Sequence, residues 1–313
     1  MRTKLLSFIS ISLLLLLSCK RDEPFIKEWK STKVIVVVID GPRYQETFGE
    51  PNHKYIPNQS ALCKEGTLCT SFFNEGTTNT INGHTAICTG NYESLNNAGL
   101  VIPTFPSFFQ YYIEQKKAPA SKAWIIASKD KLEVLANCSD KDYKNKFQPN
   151  TDCGVNGRGT GYRQDSITQK KVLSTLQNTH PDLMLVNYRE PDYSGHANNW
   201  NNYILGIQET DKYVAEIWNY IQSDPYYKDQ TMLLITNDHG RHNDGWKDGF
   251  VSHGDDCSGC RHIALLALGP DVKKNYTCNL NYSQIDITTT IAAIFNLSMP
   301  YANGKIIEDI IQY

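Results

Sequence analysis

Asp40, Thr80, Asp192, His196, Asp238, His239 and His253 stand where turns are expected beside apolar runs, and their types belong to one chemistry. Zinc takes carboxylate oxygens and imidazole nitrogens in roughly tetrahedral sets, and two such ions about 4 Å apart can clamp an in-line displacement at phosphorus. Three aspartates and three histidines suit two ions. A threonine hydroxyl is a poor nucleophile at neutral pH, but a divalent cation can hold it as the alkoxide. Thr80 lies in the polar stretch Thr77-Thr78-Asn79-Thr80-Ile81-Asn82-Gly83-His84-Thr85, expected to be a loop leading into a helix through Ala86 to Thr89. Amide groups at such a helix start would favour an anionic substrate. Together the seven residues read as a two-metal hydrolase site built around a threonine nucleophile.

That chemistry needs elements that carry distant residues to one rim. Val34 to Ile39 is a β-branched run that reads as a strand buried on both faces. Similar runs recur at Trp124 to Ala127, Leu183 to Val186, Met232 to Ile235 and Ile263 to Leu268. Helical patterns lie between them: Phe105 to Glu114, Asp165 to Leu176, Tyr203 to Ile221 and Ile285 to Phe295. The third of these puts Ile204, Ile207, Val214, Ile217, Trp218 and Ile221 on one stripe. Strands alternating with helices predict an α/β fold, a mostly parallel central sheet with helices on both faces. Ligands of such sheets bind at the carboxyl ends of strands. Asp40 directly follows the first run, Asp192 lies just beyond the third, and Asp238-His239 follows the fourth. The segment from Asn137 to Tyr162, rich in Asn, Gly, Lys and Cys, reads as an insertion over the rim.

With 313 residues the chain can bury one large core, and a net charge of -2 gives no reason to expect a nucleic-acid partner. Arg2 and Lys4 precede an apolar run, Leu5 to Leu17, that is short for a membrane span and reads as a secretory signal over residues 1–18. Leu16-Leu17-Ser18-Cys19 resembles a lipobox, which implies cleavage before Cys19 and its lipidation. Residues 19–32 are then a polar tether and 33–313 the catalytic domain. The expected location is the cell envelope, periplasmic or surface-exposed, with the membrane reached through the lipid anchor. Eight cysteines besides Cys19 in an exported chain make disulfides plausible. Cys257-Ser258-Gly259-Cys260 could be half of a zinc site or a redox pair, and a local disulfide stiffening the loop after His253 is the preferred reading.

From Val34 to its end the chain resembles the alkaline phosphatase superfamily, nearest in pattern to the type I phosphodiesterase/nucleotide pyrophosphatase-like branch. The resemblance rests on Val38-Ile39-Asp40-Gly41, on Thr80 through the closing Cys88-Thr89-Gly90, and on Asp192-Tyr193-Ser194-Gly195-His196. Asn237-Asp238-His239-Gly240, Ser252-His253-Gly254 and Leu268-Gly269-Pro270 followed by Ile285-Asp286-Ile287 complete it. It implies that Asp40, Thr80, Asp238 and His239 hold one ion and Asp192, His196 and His253 the other. Two zinc ions are expected, with manganese possible because related mutases use that metal on the same scaffold. The implied reaction passes through a phospho-threonine at Thr80.

Ser128-Lys129-Asp130-Lys131 resembles the Lys-Asp-Arg of bacterial periplasmic phosphomonoesterases, with lysine replacing arginine. Two cations favour a dianionic monoester, although lysine lacks arginine's bidentate fork; the other reading of Lys129 and Lys131 is an exposed turn after a strand. Asn96-Asn97-Ala98-Gly99 is shifted from the spacing at which relatives place a phosphate-binding asparagine and is left unassigned. No Cys-x-Pro-x-Arg signature of sulfatases occurs. Arg241 and His242 read as braces of the acidic loop rather than as substrate contacts, and His84 as packing within its helix. Trp200, Tyr203 and Trp246 could wall a leaving group, or simply pack. The expected function is hydrolysis of small-molecule phosphate esters, monoesters preferred. The alternatives are a phosphodiesterase or nucleotide pyrophosphatase, a phosphotransferase acting on cell-envelope components, and a metal-dependent binding module without catalysis.

Overall fold

The computed structural model describes residues 28–313, so the expected signal segment and Cys19 lie outside the described residues. In chain order the elements are β1 (Lys33–Asp40), α1 (Pro57–Leu62), β2 (Thr67–Phe73), α2 (Thr80–Thr89), α3 (Phe108–Lys116), β3 (Ala123–Ala127), β4 (Asn150–Cys153) and α4 (Asp165–Thr179). There follow β5 (Leu183–Pro191), α5 (Asp192–His196), α6 (Trp200–Ser223), β6 (Thr231–Asn237), α7 (Ser258–Arg261), β7 (His262–Leu268), β8 (Tyr276–Cys278), β9 (Tyr282–Ser283) and α8 (Gln284–Phe295). They build one sheet in the order β4-β3-β5-β1-β6-β7-β2-β8, with β9 also paired to β2. Every pairing is parallel except those of β7, which runs against both β6 and β2. The fold is therefore α/β with a mostly parallel sheet and helices around it.

The β-branched run does what its composition requires. Val34, Val36 and Val38 of β1 enter the core on one face, Ile35, Val37 and Ile39 the core on the other, and all six are essentially inaccessible. Full burial contributes about 1.5–3 kcal/mol per such side chain, so the central strand is held firmly on both sides. In α6, Ile207, Val214, Ile217, Trp218 and Ile221 are buried as the stripe predicts, while Ile204 is only half-buried. The same face buries Asp211, whose carboxylate accepts the N–H groups of Asn58 (2.9 Å) and Gln59 (2.8 Å) at the start of α1. An anion there satisfies orphan helix donors.

Four differences from the sequence reading have local causes. Helix α3 begins at Phe108 rather than Phe105, because Pro106 disfavours helical geometry before it and Ser107 stands at the N-cap. Helix α2 begins at Thr80 itself, so the expected loop is already helical there. The 137–162 segment is more than an insertion: it supplies β4, which pairs with β3 at the sheet edge. The end of the expected tether is docked, with the amides of Lys30 and Ser31 donating to Asp271 and that of Thr32 to the Gln230 carbonyl. Among the described residues no helix is long and apolar enough to cross a membrane.

Candidate active site

Strands β5, β1 and β6 are neighbours, and the register sets Asp40 beside Pro191 and Ile39 beside Asn237. Asp40, Asp192 and Asp238 thus emerge together at three adjacent carboxyl ends. Thr80 is brought to them as the first residue of α2, capped by Asn79, whose side-chain oxygen accepts the Asn82 N–H at 3.1 Å. Helix and rim approach so closely that a Cβ on Gly83 would lie 2.4 Å from the Asp238 carbonyl oxygen. Only glycine fits that position unshifted.

Around Asp40, Asp238 and His239 the hydrogen bonding is divided in one sense. Asp238 Oδ1 accepts the amides of Gly41 (3.1 Å) and His239 (2.9 Å), and Asp40 Oδ2 meets Lys129 Nζ at 2.8 Å. The remaining atoms, Asp40 Oδ1, Asp238 Oδ2 and His239 Nε2, are buried without hydrogen-bond partners. They converge instead, His239 Nε2 lying 3.5 Å from Asp40 Oδ1 and 3.4 Å from Asp238 Oδ2. The other nitrogen of His239, Nδ1, is turned to the Gly240 carbonyl at 2.8 Å, which leaves Nε2 as the lone-pair atom. Burial, then the charge of Asp40, pushes the Asp238 carboxyl well above its usual range. Burial likewise raises Asp40, with Asp192 adding to it. Two desolvated carboxylates and an unprotonated imidazole with bare facing atoms fit a divalent cation.

The second set lies beside it. Asp192 Oδ1 is 3.3 Å from both His196 Nε2 and His253 Nε2, which are 3.0 Å from each other. His253 Nδ1 is engaged by the Thr78 carbonyl at 2.7 Å, again freeing Nε2. His196 sits at the mouth, half exposed, whereas His253 stacks on His239 with ring centroids 3.7 Å apart. Ligand atoms of Asp192, His239 and His253 also lie within 4.8 Å of one another, so His239 stands at the junction of the two sets. These donors too suit a divalent ion. All seven residues singled out in the sequence meet at this rim.

Lys129 and Lys131 are not on an exposed turn; both are buried, at 2% and 8% exposure. Lys129 Nζ donates to Asp192 Oδ2 at 2.7 Å and to Thr80 Oγ1 at 3.1 Å. Burial opposes its charge, but Asp192, Asp40 and Asp238 hold the ammonium above its ordinary pKa. Asp192 is in turn held well below the carboxylate range against its burial, by Lys129, His196, His253 and Arg241. Lys131 Nζ donates to the Asn97 side-chain oxygen at 3.0 Å, and burial followed by Lys129 lowers it to about 8. A cavity of about 450 Å³ opens over Thr80, lined further by Asn97, Lys129, Lys131, Tyr162 and Tyr193.

A family model described as the metalloenzyme superfamily matches residues 33–299. The chain belongs to this superfamily, that of the alkaline phosphatases. Its fold is similar to an alkaline phosphatase superfamily protein from Vibrio parahaemolyticus, at 14% identity and a TM-score of 0.66 over 92% of this chain and 74% of that one. Murine ectonucleotide pyrophosphatase/phosphodiesterase 5, solved as an inactive threonine-to-alanine variant in complex with AMP, is 15% identical, with a TM-score of 0.64 over 90% of this chain and all (100%) of that chain. In sequence it is 27% identical over 137 residues to the 2,3-bisphosphoglycerate-independent phosphoglycerate mutase of Gracilaria tenuistipitata var. liui, over 43% of this chain and 25% of the mutase. It is 25% identical over 153 residues to GPI ethanolamine phosphate transferase 2 of Kluyveromyces lactis, over 42% of this chain and 18% of the transferase. The chain thus spans a quarter or less of these curated relatives.

Several features around this superfamily member's site were open in the sequence. Arg241 is fully buried and braces: its guanidinium pairs with Asp192 Oδ1 and donates to the carbonyls of Phe250 and Val251. His84 packs inside, Nδ1 on the Thr80 carbonyl at 2.8 Å, and burial drives its pKa down to about 3. Trp200 stacks on Tyr203 and meets Phe250 edge-on, which is packing beside the rim, while Trp246 is exposed. Asn97, unassigned from spacing, ties the site together, since its side-chain oxygen also accepts the Ile81 N–H at 3.0 Å. Tyr162 and Tyr193 were not singled out as lining residues, and nothing in residue type alone marks them. The expected disulfide is not formed in this structure: no S–S bond joins any of the eight described cysteines, and Cys257 Sγ instead accepts the Cys260 N–H at 3.3 Å.

Proposed function

We propose that this protein is a two-metal phosphoric ester hydrolase in which Thr80 is the nucleophile and small phosphate esters are the substrates. The observation that carries the reading is the position of the Thr80 hydroxyl. It stands at a helix start, touches the Lys129 ammonium that also meets Asp40, and lines a cavity together with Asp192, His196 and His253. Asp40, Asp238 and His239, with Thr80, would hold one ion, and Asp192, His196 and His253 the other. Bound there, two zinc or manganese ions would lower the pKa of the hydroxyl and neutralise charge on the leaving oxygen.

The chain's own groups do the rest. Thr80 Oγ1, its proton lost to solvent, forms the new bond to phosphorus as the bond to the leaving oxygen breaks and that oxygen takes a proton from solvent; water then cleaves the phospho-threonine, releasing phosphate and restoring the hydroxyl. Lys129 stabilises negative charge on Oγ1, and its hold on Asp40 and Asp192 orients both carboxylates. Lys131 and the Asn97 amide offer donors to non-bridging oxygens, which favours the dianion of a monoester. The threonine-to-alanine change that accompanies inactivity in the murine phosphodiesterase supports the assignment of Thr80.

A diesterase or nucleotide pyrophosphatase is the second reading, supported by Tyr162 and Tyr193 in the cavity lining, whose apolar surface could take a second ester group. The deciding experiment is kcat/KM of the zinc-loaded domain on a monoester and a diester sharing one aryl leaving group. Preference for the monoester supports the first reading, and preference for the diester replaces it. Thr80→Ala should cost on the order of 10³-fold or more in kcat; unchanged turnover would overturn the nucleophile. Added alcohol raising product above hydrolysis would indicate phosphotransfer. The run ending at Cys19 supports a lipid-anchored envelope location, which palmitate labelling lost in Cys19→Ala would test.

A further inference from the structure

His242, Asp255, Cys257 and Cys260 form a second cluster whose four ligand atoms lie within 4.8 Å of one another, and none of them belongs to the site around Thr80. We infer that this cluster is a structural metal site of the zinc class, with His242 Nε2, an Asp255 oxygen and the two sulfurs as its tetrahedral ligands. Two thiolates, an imidazole and a carboxylate are a donor set that zinc takes and that magnesium or calcium does not.

The orientation of His242 supports this. Nδ1 is fixed by Asp248 Oδ1 at 2.8 Å, while Nε2 is buried, lies 3.2 Å from Asp255 Oδ2 and has no hydrogen-bond partner. A carboxylate behind one nitrogen and a bare second nitrogen facing the cluster is how ligating histidines are held. One sulfur is oriented as well: the Cys260 N–H donates to Cys257 Sγ, a bond that strengthens with thiolate character, and the Cys260 sulfur lies buried beside it. Asp255 is oriented by the Cys257 N–H on Oδ1 at 3.0 Å, with Lys247 Nζ on Oδ2. Two thiolates, one carboxylate and a divalent cation sum to one negative charge, which the adjacent Lys247 ammonium offsets.

The fold shows what such a clip would do. Between β6 and α7 the chain runs some twenty residues with no regular element beyond the turn Gly249–Val251. Its Trp246 is exposed, so it has little core of its own. Irregular stretches of that length are uncommon in compact domains unless something functional holds them. This one carries His253 and the carbonyls of Phe250 and Val251 that receive Arg241. Joining His242 near its start to Cys257 and Cys260 at its end would fix His253 against the rim.

The test is cobalt substitution of the intact protein. Sulfur-to-cobalt charge-transfer absorption is expected in wild type, because among the described residues this is the cluster of metal-type donors that contains cysteine. It should persist in Asp40→Asn and disappear in Cys257→Ser/Cys260→Ser, and metal analysis of the zinc form should find one ion fewer per chain in the double variant. Should that variant fail to fold, zinc protection of the partly exposed Cys257 from alkylation in wild type decides the same point. Absence of the cobalt band, an unprotected Cys257, or a Cys257–Cys260 disulfide in the unreduced protein overturns the proposal. Because Asp40→Asn impairs only the other site, failure of this inference and failure of the proposed function are separable.

Discussion

Lys129 Nζ stands 3.1 Å from Thr80 Oγ1 while also bridging Asp40 Oδ2 and Asp192 Oδ2 at 2.8 and 2.7 Å. One ammonium therefore engages the proposed nucleophile and a carboxylate of each ligand set, leaving Asp40 Oδ1 turned to His239, and Asp192 Oδ1 to His196, His253 and the Arg241 guanidinium. Replacing it by a neutral side chain removes both effects. Lys129→Met should lower kcat by about 10²–10³, the range for loss of one preorganised charge donor. In metal-free protein it should also cost about 3–5 kcal/mol, because Asp40 and Asp192 lose their buried counter-ion. Urea unfolding with and without zinc checks the second part: the cost should shrink when zinc replaces the missing charge.

Lys131 predicts a pH limb. With burial and Lys129 lowering it to about 8, its ammonium is present below that value and lost above it. Monoester kcat/KM should fall as pH rises through about 8, and Lys131→Arg, charged throughout, should carry activity to higher pH. Stability moves oppositely. The folded value lies below the ordinary 10.5, so the unfolded chain binds the proton more readily and stability should rise with pH between about 8 and 10.5. An identical alkaline limb in wild type and Lys131→Arg would remove Lys131 from substrate binding.

Much of this site was legible because strand ends are. A β-branched run such as Val34 to Ile39 can only be a strand buried on both faces, so the polar residue ending it must reach a rim, and Asp40 does. Asp192 and Asp238 follow by the same logic, but that their strands flank β1 is a matter of tertiary pairing. The burial of Lys129 and Lys131 was not legible, since a lysine after a strand ordinarily reaches water and only the surrounding carboxylates keep Lys129 in. Asn97 escaped because its contact depends on the path of a loop with no regular period. The reversed direction of β7 was also hidden, for an apolar run reads the same either way. Cys257 and Cys260 suggested pairing by spacing, yet His242 and Asp255 reach them only through the fold of the loop.

Three bare atoms make a further test. Asp40 Oδ1, Asp238 Oδ2 and His239 Nε2 are buried and unpartnered, so a cation bound there stabilises the folded chain without competing for existing hydrogen bonds. Zinc at about 100 times its dissociation constant should add about 2.7 kcal/mol, and chelation should remove it. Asp238→Asn should lower the zinc-dependent increment by about that amount, leaving the part that zinc contributes at the other donor clusters, and should abolish the activity. An equal zinc-dependent shift of the calorimetric midpoint in both proteins would dissociate these residues from metal binding.

Gly83 holds no ligand and makes no side-chain bond. It lies in α2 three residues after Thr80, and a Cβ there would sit 2.4 Å from the Asp238 carbonyl oxygen and 3.0 Å from the Asp238 Cβ. Backbone cannot yield as a flexible side chain can, so Gly83→Ala must push α2 from the rim. Against this, alanine favours helix by up to about 1 kcal/mol, and overpacking typically costs about 1–3 kcal/mol, so the net effect should be a modest loss of stability. Its effect on chemistry should be larger. Thr80 and Asp238 belong to the same proposed ligand set, and a misplacement near 1 Å can cost about 10²-fold in rate. Gly83→Ala should therefore retain a cooperative unfolding transition while losing about 10²-fold in kcat. Full activity in a folded Gly83→Ala would mean that the approach of α2 to Asp238 does not set the position of Thr80.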